Sequence, residues 1–167
     1  MTVVQETMVR MGELAVSRAP GEVLVSIGLG SCIGVALVDR ARSIAGLAHV
    51  MLPESTGTPD AAARWKFADV AVPALLDKVL ALGASRPRVE AVLVGGARMF
   101  SFGGSSLDIG ARNEQATLEQ LAERNVNIVA RATSGTKGRT IRVYVDEGRI
   151  TCKEAGGIEE SLVGGVA

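Results

Sequence analysis

Apolar residues recur along the chain at two spacings, which divide it into strands and helices. Val23-Leu24-Val25-Ser26-Ile27 is an apolar, β-branched run that predicts a strand, broken by Gly28-Leu29-Gly30-Ser31. Cys32 to Val38 (CIGVALV) and Ile44 to Leu52 (IAGLAHVML) predict two more, the second ended by Pro53. Neither alternates with polar residues, the pattern of strands covered on both faces. Between Phe67 and Leu82 the period changes. Val70, Leu75, Leu76, Val79 and Leu80 fit 3.6 residues per turn, with Pro73 inside the run and Gly83 as its stop. Val89 to Val94 predicts a short buried strand before Gly95-Gly96. A second helix is expected from Glu114 to Arg124, with Asn113 as N-cap and Leu118, Leu121 and Ala122 on its inner face. Val126 to Ala130, Thr140 to Val145 and Arg149 to Lys153 read as strands, the last two a hairpin across Asp146-Glu147-Gly148.

The predicted order is βββ-α-β-α-βββ. Strands at both ends with two helices between them point to an α/β (α+β) single-domain layered sandwich with a mixed β-sheet, not a doubly wound fold. Pro53 to Ala63 is expected to be a surface loop. Residues 1–11 and 157–167, the latter in a glycine-rich tail from Gly156, are expected to be loosely held ends of one domain spanning 1–167.

Composition narrows the function. The 167 residues carry 18 basic and 18 acidic groups, and the formal net charge is zero. At roughly 150 residues per domain, one compact core is expected. A hydrophobic share of 47% excludes a disordered chain. Neutral charge and only 3% aromatic residues argue against nucleic-acid binding, which needs a basic field and stacking platforms. Two cysteines form no disulfide framework, and one histidine with two cysteines is a poor zinc set, so neither a metal nor another cofactor is expected. The N-terminus places Glu6 and Arg10 early, unlike a signal peptide, and the uncharged run from Val23 to Val38 is too short and glycine-rich to span a bilayer. A soluble cytoplasmic protein without membrane insertion is expected.

The informative stretch is Ser26 to His49. If Cys32–Val38 and the following strand form a hairpin over Asp39-Arg40-Ala41-Arg42, Val38 pairs with Ser43 and Cys32 falls opposite His49. A shift of two in the pairing sum makes them diagonal neighbours, still on the same face because side chains alternate with period two. A thiol beside an imidazole can pass it a proton or hold an ion pair, then attack a carbonyl carbon. The imidazole afterwards protonates the leaving group and activates water. The glycines before Cys32 leave the sulfur open to substrate, and backbone N–H groups at such a turn can face an oxyanion. An imidazole base also needs an orienting group, and the Ser26 hydroxyl is the candidate. The plainer alternatives are a small buried thiol at Cys32 and a hydrogen-bonded core imidazole at His49. Cys152, among charged residues with no histidine near it, reads as structural.

Other motifs are weaker. Gly28-Leu29-Gly30 lacks the third glycine of a dinucleotide fingerprint, Ile33 standing in its place. Ser134-Gly135-Thr136-Lys137-Gly138-Arg139 lacks P-loop spacing and reads as a mobile surface turn. Gly103 to Ser106 reads as a turn beside Met99, Phe100 and Phe102, and Trp65 as a core plug.

Five blocks in order, GLGSCIGVALVD, GLAHVMLP, KFADVAVPALL, VGGARMF and IGARN, resemble those of the chemoreceptor glutamine deamidases, the CheD family. The resemblance spans about Gly12 to Gly157. It implies a cysteine hydrolase that converts glutamines on the cytoplasmic helices of methyl-accepting chemotaxis receptors to glutamate, releasing ammonia. The family nucleophile matches Cys32 and the base matches His49. The third residue, commonly threonine, is matched by Ser26, which keeps the hydroxyl and loses the methyl. The implied fold is a layered sandwich resembling the catalytic domain of cytotoxic necrotising factor toxins. The CheC phosphatase is an implied partner. A binding module that modulates such a phosphatase with weak catalysis is the alternative function, and a cysteine hydrolase acting on another amide is a third.

Overall fold

The computed structural model describes residues 4–55, 64–99 and 108–164. Ten strands and two helices follow one another: β1 (Gln5–Met8), β2 (Leu14–Ser17), β3 (Glu22–Leu29), β4 (Ile33–Asp39), β5 (Ile44–Val50), α1 (Ala68–Ala81), β6 (Glu90–Gly95), α2 (Ile109–Glu123), β7 (Asn127–Thr133), β8 (Arg139–Tyr144), β9 (Arg149–Glu154) and β10 (Glu159–Val163). The strands make two five-stranded sheets, ordered β1-β3-β8-β9-β10 and β2-β5-β4-β6-β7. Each is mixed, because β1 runs parallel to β3 and β6 parallel to β7 while their other pairings are antiparallel. The fold is an α+β single-domain sandwich, with two sheets where one was expected.

The unbroken apolar strands have a direct cause. In β4, Ile33, Val35 and Leu37 point to one core, shared with Val72, Leu75 and Val79 of α1 and Leu121 of α2. The intervening Ala36 and Val38 join a second core between the sheets, with Leu47 and Val92 on their own sheet and Leu24, Ile141 and Ile150 on the other. The helices therefore cover the outer face of the β4-containing sheet, and the other sheet covers its inner face. Each fully buried leucine, isoleucine or valine stabilises this arrangement by about 1.5–3 kcal/mol relative to exposure.

Several expectations are corrected. Three strands were not expected: β1, β2 and β10. In β10, Ser161 and Val163 sit beside Thr151 and Ile150. The Glu159 carboxylate accepts from the Tyr144 and Thr151 hydroxyls at 2.7 and 2.6 Å and anchors that strand. At the other end, Gln5 to Met8 align with Glu22 to Val25. The second helix begins at Ile109, capped by the Asp108 carboxylate accepting from the Ala111 N–H at 3.0 Å, and Asn113 is an interior residue. Ser134–Arg139 is anchored, because the buried Arg139 guanidinium donates to the Ser134 and Gly95 carbonyls at 2.7 and 3.3 Å. The expected turn at Gly103 to Ser106 and most of the loop from Pro53 to Ala63 lie outside the described residues. Among the described residues no helix is long and apolar enough to cross a membrane.

Candidate functional site

The β4–β5 hairpin turns through a short 3-10 segment, Arg40–Arg42, and a left-handed Ser43. Val38 pairs with Ala45 and Gly34 with His49, so the pairing sum is two larger than the Val38–Ser43 register. Cys32, just before β4, is consequently the diagonal neighbour of His49. Both lie on the face turned toward the second sheet, as the period-two argument requires. The residue directly opposite His49 is Gly34, which places no side chain between them.

His49 is buried, and its backbone is held on the β2 side: its N–H donates to the Glu13 carbonyl and its own carbonyl accepts from the Gly12 N–H, both at 3.0 Å. Its ring Nδ1 lies 3.1 Å from the Val9 carbonyl oxygen. A carbonyl can only accept, so Nδ1 carries the proton and Nε2 keeps its lone pair. The fully buried Ser26 hydroxyl donates to the same Val9 oxygen at 2.7 Å. Ser26 therefore reaches the imidazole through a shared acceptor, and no hydrogen bond joins the two side chains directly. Val9 is delivered by β1, whose ladder continues as the Val9 N–H donates to the Val25 carbonyl at 2.7 Å.

Cys32 is half-buried. Its carbonyl accepts from the Gly96 N–H at 2.9 Å, and the Gly30 carbonyl accepts from the Ala97 N–H at 2.8 Å. This close approach explains the double glycine at the end of β6. Gly95 has φ +116°, and a Cβ there would overlap the Cys32 carbonyl oxygen. The strap is buttressed in turn by the Ser134 N–H on the Gly95 carbonyl and the Arg98 N–H on the Gly135 carbonyl. Gly110 of α2 packs beneath it so closely that a Cβ would sit 2.5 Å from the Gly96 and Ala97 oxygens.

Burial pushes the Cys32 thiol above its ordinary value. Burial also pulls the His49 imidazole below its own, opposed in part by the Val9 hydrogen bond and the Glu13 charge. Both directions favour a resting pair of neutral thiol and neutral imidazole over an ion pair. No hydrogen bond joins Sγ to the imidazole among the described residues, so the arrangement is a thiol with a base in diagonal reach and Nε2 free to accept.

Cys152 lies in the core between the sheets. Among the described residues no three histidine, cysteine, aspartate or glutamate side chains gather to hold a metal ion. Two contributors were not anticipated. The Val9 carbonyl has no side-chain signature at all. Asn113 carries the sequence signature of a helix cap but sits inside α2. Met11, Ile27, Leu52 and Met99 are exposed apolar residues. Met99 lies against Gly30, where a Cβ would come within 2.9 Å of its Cγ.

A family model described as "CheD chemotactic sensory transduction" matches residues 51–154. A protein of Clostridium botulinum (strain Alaska E43 / Type E3), called "Probable chemoreceptor glutamine deamidase CheD", is 43% identical over 153 residues, covering 90% of this chain and 94% of that protein. Proteins of the same description from C. botulinum (strain Eklund 17B / Type B) and Clostridium novyi (strain NT) are 42% and 39% identical over the same coverage. With matches of this extent and identity, the chain belongs to the CheD family.

Proposed function

We propose that this protein hydrolyses glutamine side-chain amides on the cytoplasmic helices of chemoreceptors, with Cys32 as nucleophile, His49 as general base and acid, and Ser26 as a positioning residue. His49 Nε2 takes the thiol proton as sulfur attacks the amide carbon. The tetrahedral oxyanion is held by the Cys32 backbone N–H. The imidazolium then returns the proton to the departing nitrogen, which leaves as ammonia. Water, activated by the same nitrogen, hydrolyses the thioester to glutamate and restores the thiol.

The observation that carries this reading is the Val9 carbonyl on Nδ1, which fixes the tautomer that leaves Nε2 basic on the face shared with Cys32. Family membership supports the substrate. So does Met99, an exposed apolar side chain that borders the Cys32 loop at Gly30. An exposed apolar side chain beside the thiol suits the apolar stripe of a long helix better than a small soluble amide. The substrate's location makes the cytoplasm the working compartment, and a CheC-type phosphatase is the partner that family resemblance implies.

The test is mass spectrometry of a receptor cytoplasmic fragment incubated with the protein. Amide-to-acid conversion at defined glutamines is expected with the wild type and absent with Cys32→Ala. Conversion at the native rate by Cys32→Ala would refute the mechanism.

A further inference from the structure

Asn113 lies in the second turn of α2 and is fully buried. Its Nδ2 donates to the Ser31 carbonyl at 2.9 Å and to the Met51 carbonyl at 3.0 Å. Its Oδ1 is buried without a hydrogen-bond partner among the described residues. An unpaired buried acceptor is destabilising, so stability alone does not account for an amide here. Its two donors provide the alternative explanation. They tie the loop entering Cys32 to the strand leaving His49.

The Ser31 bond also fixes a direction. The Ser31 C=O and the Cys32 N–H belong to one planar trans peptide and point opposite ways. Holding that carbonyl toward α2 turns the Cys32 N–H away from the helix. The flanking carbonyls of Gly30 and Cys32 are also held, by the Ala97 and Gly96 N–H groups. Three successive carbonyls are thus occupied, while the N–H groups of Ser31 and Cys32 donate to no acceptor among the described residues.

We infer that Asn113 is a positioning residue that aims the Cys32 N–H at the oxyanion by anchoring the Ser31 carbonyl. The inference rests on the deamidase reading of Cys32. It assigns α2 a part in transition-state stabilisation that Cys32, His49 and Ser26 do not supply.

The test separates oxyanion stabilisation from thiol reactivity. Alkylation of Cys32 by iodoacetamide is displacement at a saturated carbon and creates no oxyanion. Asn113→Leu fills the site without donating. It is expected to lower kcat on a receptor fragment about 100- to 1000-fold, the loss typical of one oxyanion donor, with KM and the Cys32 alkylation rate within about twofold of wild type. Leu121→Ala, on the same helix, gauges the merely structural effect and is expected to lower Tm without splitting kcat from alkylation. If Asn113→Leu does not fold, Asn113→Ala is read the same way. An unchanged kcat, or kcat and alkylation falling together, overturns the inference. Cys32→Ala in the same assay tells the two failures apart. If it stays active, the deamidase reading falls and takes the inference with it. If it is inactive while Asn113→Leu matches wild type, only the inference falls.

Discussion

Ser26 and His49 meet on a single atom: the Ser26 hydroxyl donates to the Val9 carbonyl oxygen at 2.7 Å, and His49 Nδ1 lies 3.1 Å from that same oxygen. The imidazole is oriented by a backbone acceptor, and the hydroxyl steadies that acceptor. Removing the hydroxyl leaves the tautomer-setting bond in place. Ser26→Ala is therefore expected to lower kcat by no more than about tenfold, far less than loss of a nucleophile or base, and to cost about 0.5–1.5 kcal/mol of stability. Steady-state kinetics beside urea unfolding checks both. A loss as deep as that of His49→Ala would mean the serine acts on the imidazole directly.

The pH dependence follows from burial. On the proposed mechanism the base works only when neutral, and burial holds the His49 imidazole below its ordinary 6.5. The acid limb of kcat/KM is expected to have its midpoint below pH 6.5, with full activity at neutrality. Stability has the matching sign. As pH falls below 6.5, the unfolded chain binds a proton at this histidine that the folded chain resists, so unfolding free energy declines through that window. Denaturant titrations from pH 7 to 5 should show the decline, and His49→Asn should flatten it.

Two glycines near the site should respond very differently to alanine. Gly28 has φ +69° and open space around it, so Gly28→Ala is expected to cost about 1–2 kcal/mol for the left-handed backbone alone. At Gly95 the backbone is also left-handed, and the new methyl would strike the Cys32 carbonyl. Gly95→Ala is expected to cost more than about 3 kcal/mol or to displace the Cys32 loop, abolishing activity. Thermal melts and assays on the pair decide it.

A charge on the apolar side chain beside the Cys32 loop should weaken docking without touching the chemistry. Met99→Asp is expected to raise KM for a receptor fragment about tenfold or more with kcat nearly unchanged. An unchanged KM would place substrate contact elsewhere.

Much of the hairpin was legible because parity survives a register error. Cys32 and His49 share a face whichever even shift the turn imposes. The register itself was not legible, since Asp39-Arg40-Ala41-Arg42-Ser43 has none of the glycine or asparagine signals that fix a tight turn, and the left-handed Ser43 carries no mark. The helix start was misplaced because Asn113 before Glu114 imitates a cap, while the true cap, Asp108, follows a glycine- and serine-rich stretch. β1 and β2 are four residues each and mixed in polarity, so they leave no periodic signal. The Val9 carbonyl was beyond sequence reasoning altogether, because every residue has one and only tertiary pairing selects it.

The route by which Val9 arrives carries its own consequence. The acceptor that sets the imidazole is held by a parallel edge pairing of four residues at the start of the chain. A protein clipped beyond Val9 would keep its thiol, its imidazole and most of its core, and would pass as intact by fold or by cysteine content. Its histidine would be free to protonate the wrong nitrogen. On the proposed mechanism, Gln5 to Val9 are therefore part of the active centre, and a protease that removes them would act as an inhibitor.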